Sequence, residues 1–442
     1  MIRFLLILIA LWLCAFSSVS AATKFEVGNF SKETTGTANA TQTVTLADSS
    51  ITPVALILWT NGQTATGFAA GQMESIGFCT GTASNDNRAI AVASDDNVAT
   101  TNTGKNSDAF CLIIFSNGTP TTAVTAILNS AFSAGSFQLK YPTNNTTAYK
   151  IQYTVIGGDV TNAKVLGLSS ATVTGNRNDT GFGFDPEFVM FATSRSTTLG
   201  TATANEGLSI GAATSSAQWA FAMSATDNNT SAGTNVCRNR QFTDSCLLTI
   251  TAAATPAVET QISFVGFISD GYTLNWTSVP GSAKPYAALA LKGGQYKVGC
   301  FSKSTSGAPV NDDTNVGFTP TGVVLSSFHR ASGTTNQLDA QHSFGATDGT
   351  AAHERSTWTS NKDGVINSDT NVNLSETKAL ILATNTSTLD SECDSDLAAV
   401  ANSFRLTWTT NQAQADEICY AAFGSAVQSK PPHPANFGVV LN

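Results

Sequence analysis

Phe137-Gln-Leu-Lys-Tyr141 decides the reading of this chain, because it is written three times. It returns as Tyr272-Thr-Leu-Asn-Trp276 and again as Phe404-Arg-Leu-Thr-Trp408. Alternate residues are large and apolar, so an extended segment would have one dry face and one wet face, as a half-buried strand does. The same landmarks surround each copy in the same order. Gly28, Pro53, Gly77, Cys111 and Gly157-Gly158 frame the first, and Gly167, Pro186, Gly211, Cys246 and Gly293-Gly294 the second. Gly299, Pro320, Gly345, Ala379 and Gly424-Ser425 frame the third. A period of roughly 130 residues is too long for a solenoid repeat and suits whole domains.

The rest of the chain points to strands as well. Short apolar runs such as Val54-Ala-Leu-Ile-Leu-Trp59, Cys111-Leu-Ile-Ile-Phe115 and Tyr149-Lys-Ile-Gln-Tyr-Thr-Val155 are rich in β-branched and aromatic residues. Asn, Gly, Asp and Ser turns separate them, and helical periodicity is nearly absent. The expected fold is all-β: three tandem antiparallel β-sandwich, jelly-roll-like modules after a cleaved signal peptide. The boundaries read as 1–22 for the signal peptide, 23–158, 159–294 and 295–426 for the modules, and 427–442 for an extended tail. Linkers this short predict three autonomous beads in a stiff rod.

The anchors have physical roles in this frame. Pro53, Pro186 and Pro320 stand before a buried strand, where a missing N–H is harmless. Gly77, Gly211 and Gly345 mark a bulge or a close backbone contact. Phe137, Leu139 and Tyr141 and their counterparts form the floor of each core.

Arg3, the apolar run Phe4 to Phe16 and the small residues near Ala21 and Ala22 read as an export signal. The run is too short to span a bilayer, so membrane insertion is not expected once the signal is removed. Charged residues make up 12% of the chain, about half the usual share of about 25%. Polar uncharged residues replace them, as in secreted β proteins. The formal charge of −9 argues against a nucleic-acid partner, which requires a basic stripe.

In an exported chain the cysteines read as disulfides. The expected pairs are Cys79–Cys111, Cys237–Cys246 across the polar turn Arg238 to Ser245, and Cys300–Cys419 between first and last strands. Cys393 is left over.

Chemistry is sparse. His329, His342 and His353 lie near Asp339, Asp348 and Glu354, which is the composition of a metal site or of a general base with a carboxylate orienter. No known ligand spacing fits, the other modules hold no counterpart, and scattered surface histidines are the expected outcome. Acyl-transfer and phosphate-binding motifs are missing. The chain reads as no enzyme. Asp390, Glu392, Asp394 and Asp396 alternate in one segment and are the candidate calcium ligands, weighed against a solvated acidic loop. No other cofactor is expected.

The functional expectation is a secreted structural or adhesive surface protein: a self-associating subunit of an extracellular filament, matrix or attachment device. Phe437, Val439, Val440 and Leu441 form a strand-like end that could add to a neighbour's sheet. The alternative is a multivalent carbohydrate-binding protein meeting surface glycans through exposed Trp59, Trp219 or Trp358.

Overall fold

The computed structural model describes residues 22–116, 120–331 and 333–426. Residues 1–21, within the expected signal peptide, and the tail from 427 on, including Phe437, Val439, Val440 and Leu441, lie outside the described residues.

Each repeat is a two-layer antiparallel sandwich, and all six sheets follow one plan. In the first module the larger sheet runs Lys24–Ser31, Lys150–Gly157, Pro53–Thr60, Gln72–Cys79, Asn87–Ser94 and Thr103–Asp108. The smaller sheet runs Ala40–Thr45, Ser136–Thr143, Thr122–Leu128 and Leu112–Phe115. First pairs with last and second with penultimate, the nested arrangement of a jelly roll, while the remaining strands form two meanders.

The two sheets have different sequences because they meet different surroundings. Strand Ser136–Thr143 alternates because its outer face is wet; Phe137, Leu139 and Tyr141 are buried in the sandwich. Strand Pro53–Thr60 is apolar at consecutive positions. Leu56 and Leu58 enter the sandwich core, while Ala55, Ile57 and Trp59 enter a second core on the other side. A strand buried on both faces has no reason to alternate.

That second core corrects the expected rod. Its residues come from all three repeats: Ile76 and Phe78, Ile210 and Phe221, Phe344 and Phe423. The three larger sheets face one another around a common axis. The Trp59 and Phe344 rings meet edge to face at 5.3 Å, and Phe423 touches both Phe25 and Phe188.

Strand exchange closes the ring. Thr203–Ala204 of the second module pairs with Thr103–Asp108 of the first. Gln337–Leu338 of the third pairs with Cys237–Phe242 of the second, and Gly67–Ala70 of the first with Thr370–Ser375 of the third. Each module thus adds a seventh strand to one neighbour's larger sheet.

A carboxylate reinforces each of those junctions. Asp227 Oδ1 accepts the Thr103 amide at 2.7 Å, Asp363 Oδ1 that of Cys237 at 2.8 Å, and Asp96 Oδ1 that of Thr370 at 2.8 Å. The residue after each aspartate takes a left-handed backbone, Asn228 at φ 61°, Gly364 at 69° and Asn97 at 53°. Asn and Gly are the residues that adopt this conformation most readily. The first and last described segments meet at another junction, where Thr23 N donates to Ser425 Oγ and Ala426 N to Asp159 Oδ2.

The glycine anchors resolve into contacts. A Cβ on Gly77, Gly211 or Gly345 would strike the carbonyl of Cys111, Cys246 or Ala379, where the chain enters the smaller sheet. Gly28 and Gly299 lie opposite Tyr153 and Tyr420, whose rings cover them. In the second module Leu166 faces Ala288 instead, and the glycine is displaced by one residue to Gly167.

Disulfides join Cys79 to Cys111 and Cys300 to Cys419. The expected Cys237–Cys246 bridge is corrected: both thiols are free and buried, as is Cys393. The segment read as a turn is the strand Cys237–Phe242. A six-residue strand spans roughly 20 Å, far beyond disulfide reach. The two thiols also enter different cores, Cys237 the axial one and Cys246 that of its own sandwich.

Candidate functional site

The densest chemistry lies on the axis. Glu74, Leu208 and His342 each stand three residues before the matching glycine of their repeat, so all three point into the axial core. His342 Nδ1 lies 2.5 Å from Glu74 Oε1, and its Nε2 lies 2.8 Å from Ser326 Oγ. Serine, histidine and carboxylate in that order are the parts of a hydrolytic triad. Their setting is wrong for one. His342 has no exposed surface, Ser326 and Glu74 are each 2% exposed, and Phe221 stacks on the imidazole at 4.6 Å. A substrate would have to part the sheets to reach Oγ. The group is a buried link between modules one and three.

Glu206 sits nearby on the second module, wholly buried. Gln72 of the first module donates to its Oε1 at 2.8 Å and Asn361 of the third to its Oε2 at 3.4 Å. One carboxyl therefore takes a hydrogen bond from each of the other two modules. Burial, with the Glu74 charge adding to it, pushes its pKa up to about 8. Lys105, donating to the carbonyls of Ala204 and Asn205, is lowered by burial to about 7.

The histidines expected on the surface are mostly inside. His329 is 2% exposed, with Nε2 2.9 Å from Asp390 Oδ2 and Nδ1 3.1 Å from Gln341 Oε1. His353, half-buried, pairs with Asp348 at 2.7 Å. Asp416 Oδ2 also lies 3.8 Å from His329 Nε2, and His353 with Asp348 forms a separate histidine–carboxylate contact. Glu354 instead receives the Ser395 amide and hydroxyl, and burial raises its pKa to about 7.

The acidic segment is a strand, Leu389–Asp396, not a loop. Asp390 faces His329, Asp394 binds Lys378 at 2.7 Å, Glu392 accepts from Thr410 and Asp396 caps the Ala398 amide. Separate partners hold the four apart. Among the described residues no group of three His, Cys, Asp or Glu side chains is placed to hold a metal ion.

Trp59, Trp219 and Trp358, the residues a sugar-stacking surface would need, are all buried. A cavity of about 380 Å³ lies where the first module's exchange loop crosses to the third, lined by Asn61, Gln63, Phe68, Phe115, Tyr149 and Val372 among others. Its lining holds no charged side chain. The Asn61 and Gln63 amides bind each other and the carbonyls of Asn373 and Gly67.

Sequence reading reached the acidic residues and the histidines but not Glu206, Gln72, Asn361, Asp227 or Asp363. The one available signal was Asp followed by Asn or Gly at matching places in the repeats. Neither a scan against protein-family models nor a search of characterised proteins finds a match to this chain. The two disulfides are compatible with an extracellular location, and no described helix is long and apolar enough to cross a membrane.

Proposed function

We propose that this chain is an exported structural or attachment protein without a catalytic role, acting as a preassembled three-lobed building block. The observation that carries the reading is the closed ring of exchanged strands around a shared core. Glu74 with His342, and Glu206 with Gln72 and Asn361, are polar groups of the axial region that link one module to another. The Ser326–His342–Glu74 group is sealed from solvent, and the calcium candidates are held singly.

Writing three modules in one chain suits such a part. A homotrimer would bring three identical glutamates to the axis, whereas this chain places Glu74 against His342 and leaves Leu208 at the third position. Self-association through Phe437 to Leu441 is part of the proposal, since an apolar strand-like end beyond Lys430-Pro-Pro-His-Pro434 suits strand addition to a neighbour. Electron microscopy of the secreted protein and of a chain ending at Ala426 tests this. Filaments or lattices formed by the full chain alone support the proposal; isolated particles in both samples overturn it.

A further inference from the structure

Two lysines are buried where no ion pair requires them. Lys32 follows the strand Lys24–Ser31 and is 1% exposed; Lys303 follows Gln295–Ser302 and is 2% exposed. Each amine meets the amide of an asparagine placed just after the penultimate strand of its module. Lys32 Nζ lies 2.7 Å from Asn144 Oδ1, and Lys303 Nζ 2.6 Å from Asn411 Oδ1. Backbone carbonyls complete the pockets, those of Glu33 and Asn145 in one and of Ser304 and Gln412 in the other. An aromatic ring lies beside each amine, Tyr141 at 5.7 Å and Trp408 at 5.4 Å.

The repeats supply a comparison within one molecule. The matching positions of the second module are Ser170 and Val279. Lysine and asparagine are present together in two modules and absent together from the third. A lysine needed solely to cap turn carbonyls could keep that role whatever stood opposite. Paired presence points to a function of the two side chains jointly.

A carboxyl group accompanies each pair. Asn144 Nδ2 donates to Glu33. In the third module Asp416 is fully buried; Gln414 donates to its Oδ1 at 2.6 Å, and its Oδ2, 3.8 Å from His329 Nε2, has no hydrogen-bond partner among the described residues. Its carbonyl accepts the Lys303 amide at 2.7 Å, and its charge acts on the Lys303 amine.

We propose that Lys303 and Asn411, and likewise Lys32 and Asn144, are joined by intramolecular isopeptide bonds formed without another enzyme. The lysine gives a proton to the neighbouring carboxylate, and its nitrogen lone pair attacks the asparagine Cγ. The carboxyl returns that proton to Nδ2, the attacking nitrogen gives its second proton to the carboxylate, the Cγ–Nδ2 bond breaks and ammonia leaves. A Cγ–Nζ amide remains, with no oxidant or cofactor consumed. Burial lowers both amines from the usual lysine value, which favours the nucleophilic form, and raises Asp416, which favours a carboxyl able to donate. Fixed contact between amine and amide supplies the effective concentration that makes a slow acylation practicable. Each bond would tie residues 112 and 108 positions apart, joining the first strand of a sandwich to the penultimate one.

Intact mass spectrometry of the full secreted chain, reduced and alkylated, tests this. The expected mass is lower than that of the processed sequence by two molecules of ammonia. Tandem spectra should contain branched peptides joining Lys32 to Asn144 and Lys303 to Asn411. Asn411→Ala should lose the branched peptide of the third module and keep that of the first. Asp416→Asn, checked for native circular dichroism, should leave Lys303 and Asn411 unjoined. An unmodified mass overturns the proposal, and a branched peptide from one module alone overturns it for the other.

Discussion

Asp227 in the second module accepts the backbone amide of Thr103 in the first at 2.7 Å, at the residue where the first module's last large-sheet strand begins. The same bond recurs from Asp363 to Cys237 and from Asp96 to Thr370. It stabilises a strand end that would otherwise bury an unpaired N–H, and it does so between modules rather than within one. Asp227→Ala should therefore destabilise the whole molecule by about 1–3 kcal/mol. Denaturant titration reads the loss, and amide exchange should accelerate at Thr103 in particular.

The Glu74–His342 pair should behave asymmetrically. Glu74→Leu leaves a buried imidazole nitrogen without its hydrogen-bond partner and should cost about 1–3 kcal/mol. Replacing both by leucine copies Leu208, the residue the second module already carries at that position. The double variant should recover most of the loss. A double-mutant cycle by chemical unfolding measures this, and losses that simply add would remove the pair from the account.

Glu206 gives the assembly a pH response. Its carboxyl titrates near 4.5 when unfolded and at about 8 when folded. Between these values the folded state holds a proton that the unfolded state has released, so stability falls as pH rises through that window. Lys105 acts oppositely, adding stability as pH rises from about 7 toward 10.5. Glu206→Gln removes the first effect and keeps the second. The variant should gain stability relative to the parent from pH 5 to 8 and no further above that. Urea midpoints across the range decide it.

The free thiols can be counted. A native chain beginning at residue 22 should be inert to an aromatic disulfide reagent. Unfolding without reductant should expose three thiols, Cys237, Cys246 and Cys393, because burial shields each and raises its pKa. A count of one would restore a Cys237–Cys246 bridge.

The parts of the fold that sequence reveals are those where side chains carry the signal. Phe137, Leu139 and Tyr141 alternate because the smaller sheet has one wet face. The run from Val54 to Trp59 does not alternate, and that alone marks a strand buried on both sides. What covers the second side is not legible, because the modules are joined by backbone pairing through very short strands such as Thr203–Ala204. Backbone pairing leaves no residue pattern. Glu74 and His342 are 268 positions apart and make sense only once three sheets face one axis. Cys237 and Cys246 misled for the same reason: nine residues of proximity in sequence conceal a strand that passes between two cores.

Small-angle X-ray scattering of the chain ending at Ala426 tests the central claim, that the three modules close on one another. A compact body of about 400 residues should have a radius of gyration of about 21 Å. Three beads of that total length in a row would exceed about 30 Å by the same scaling. The smaller value is the prediction. The larger one would contradict the ring of exchanged strands and, with it, the shared core.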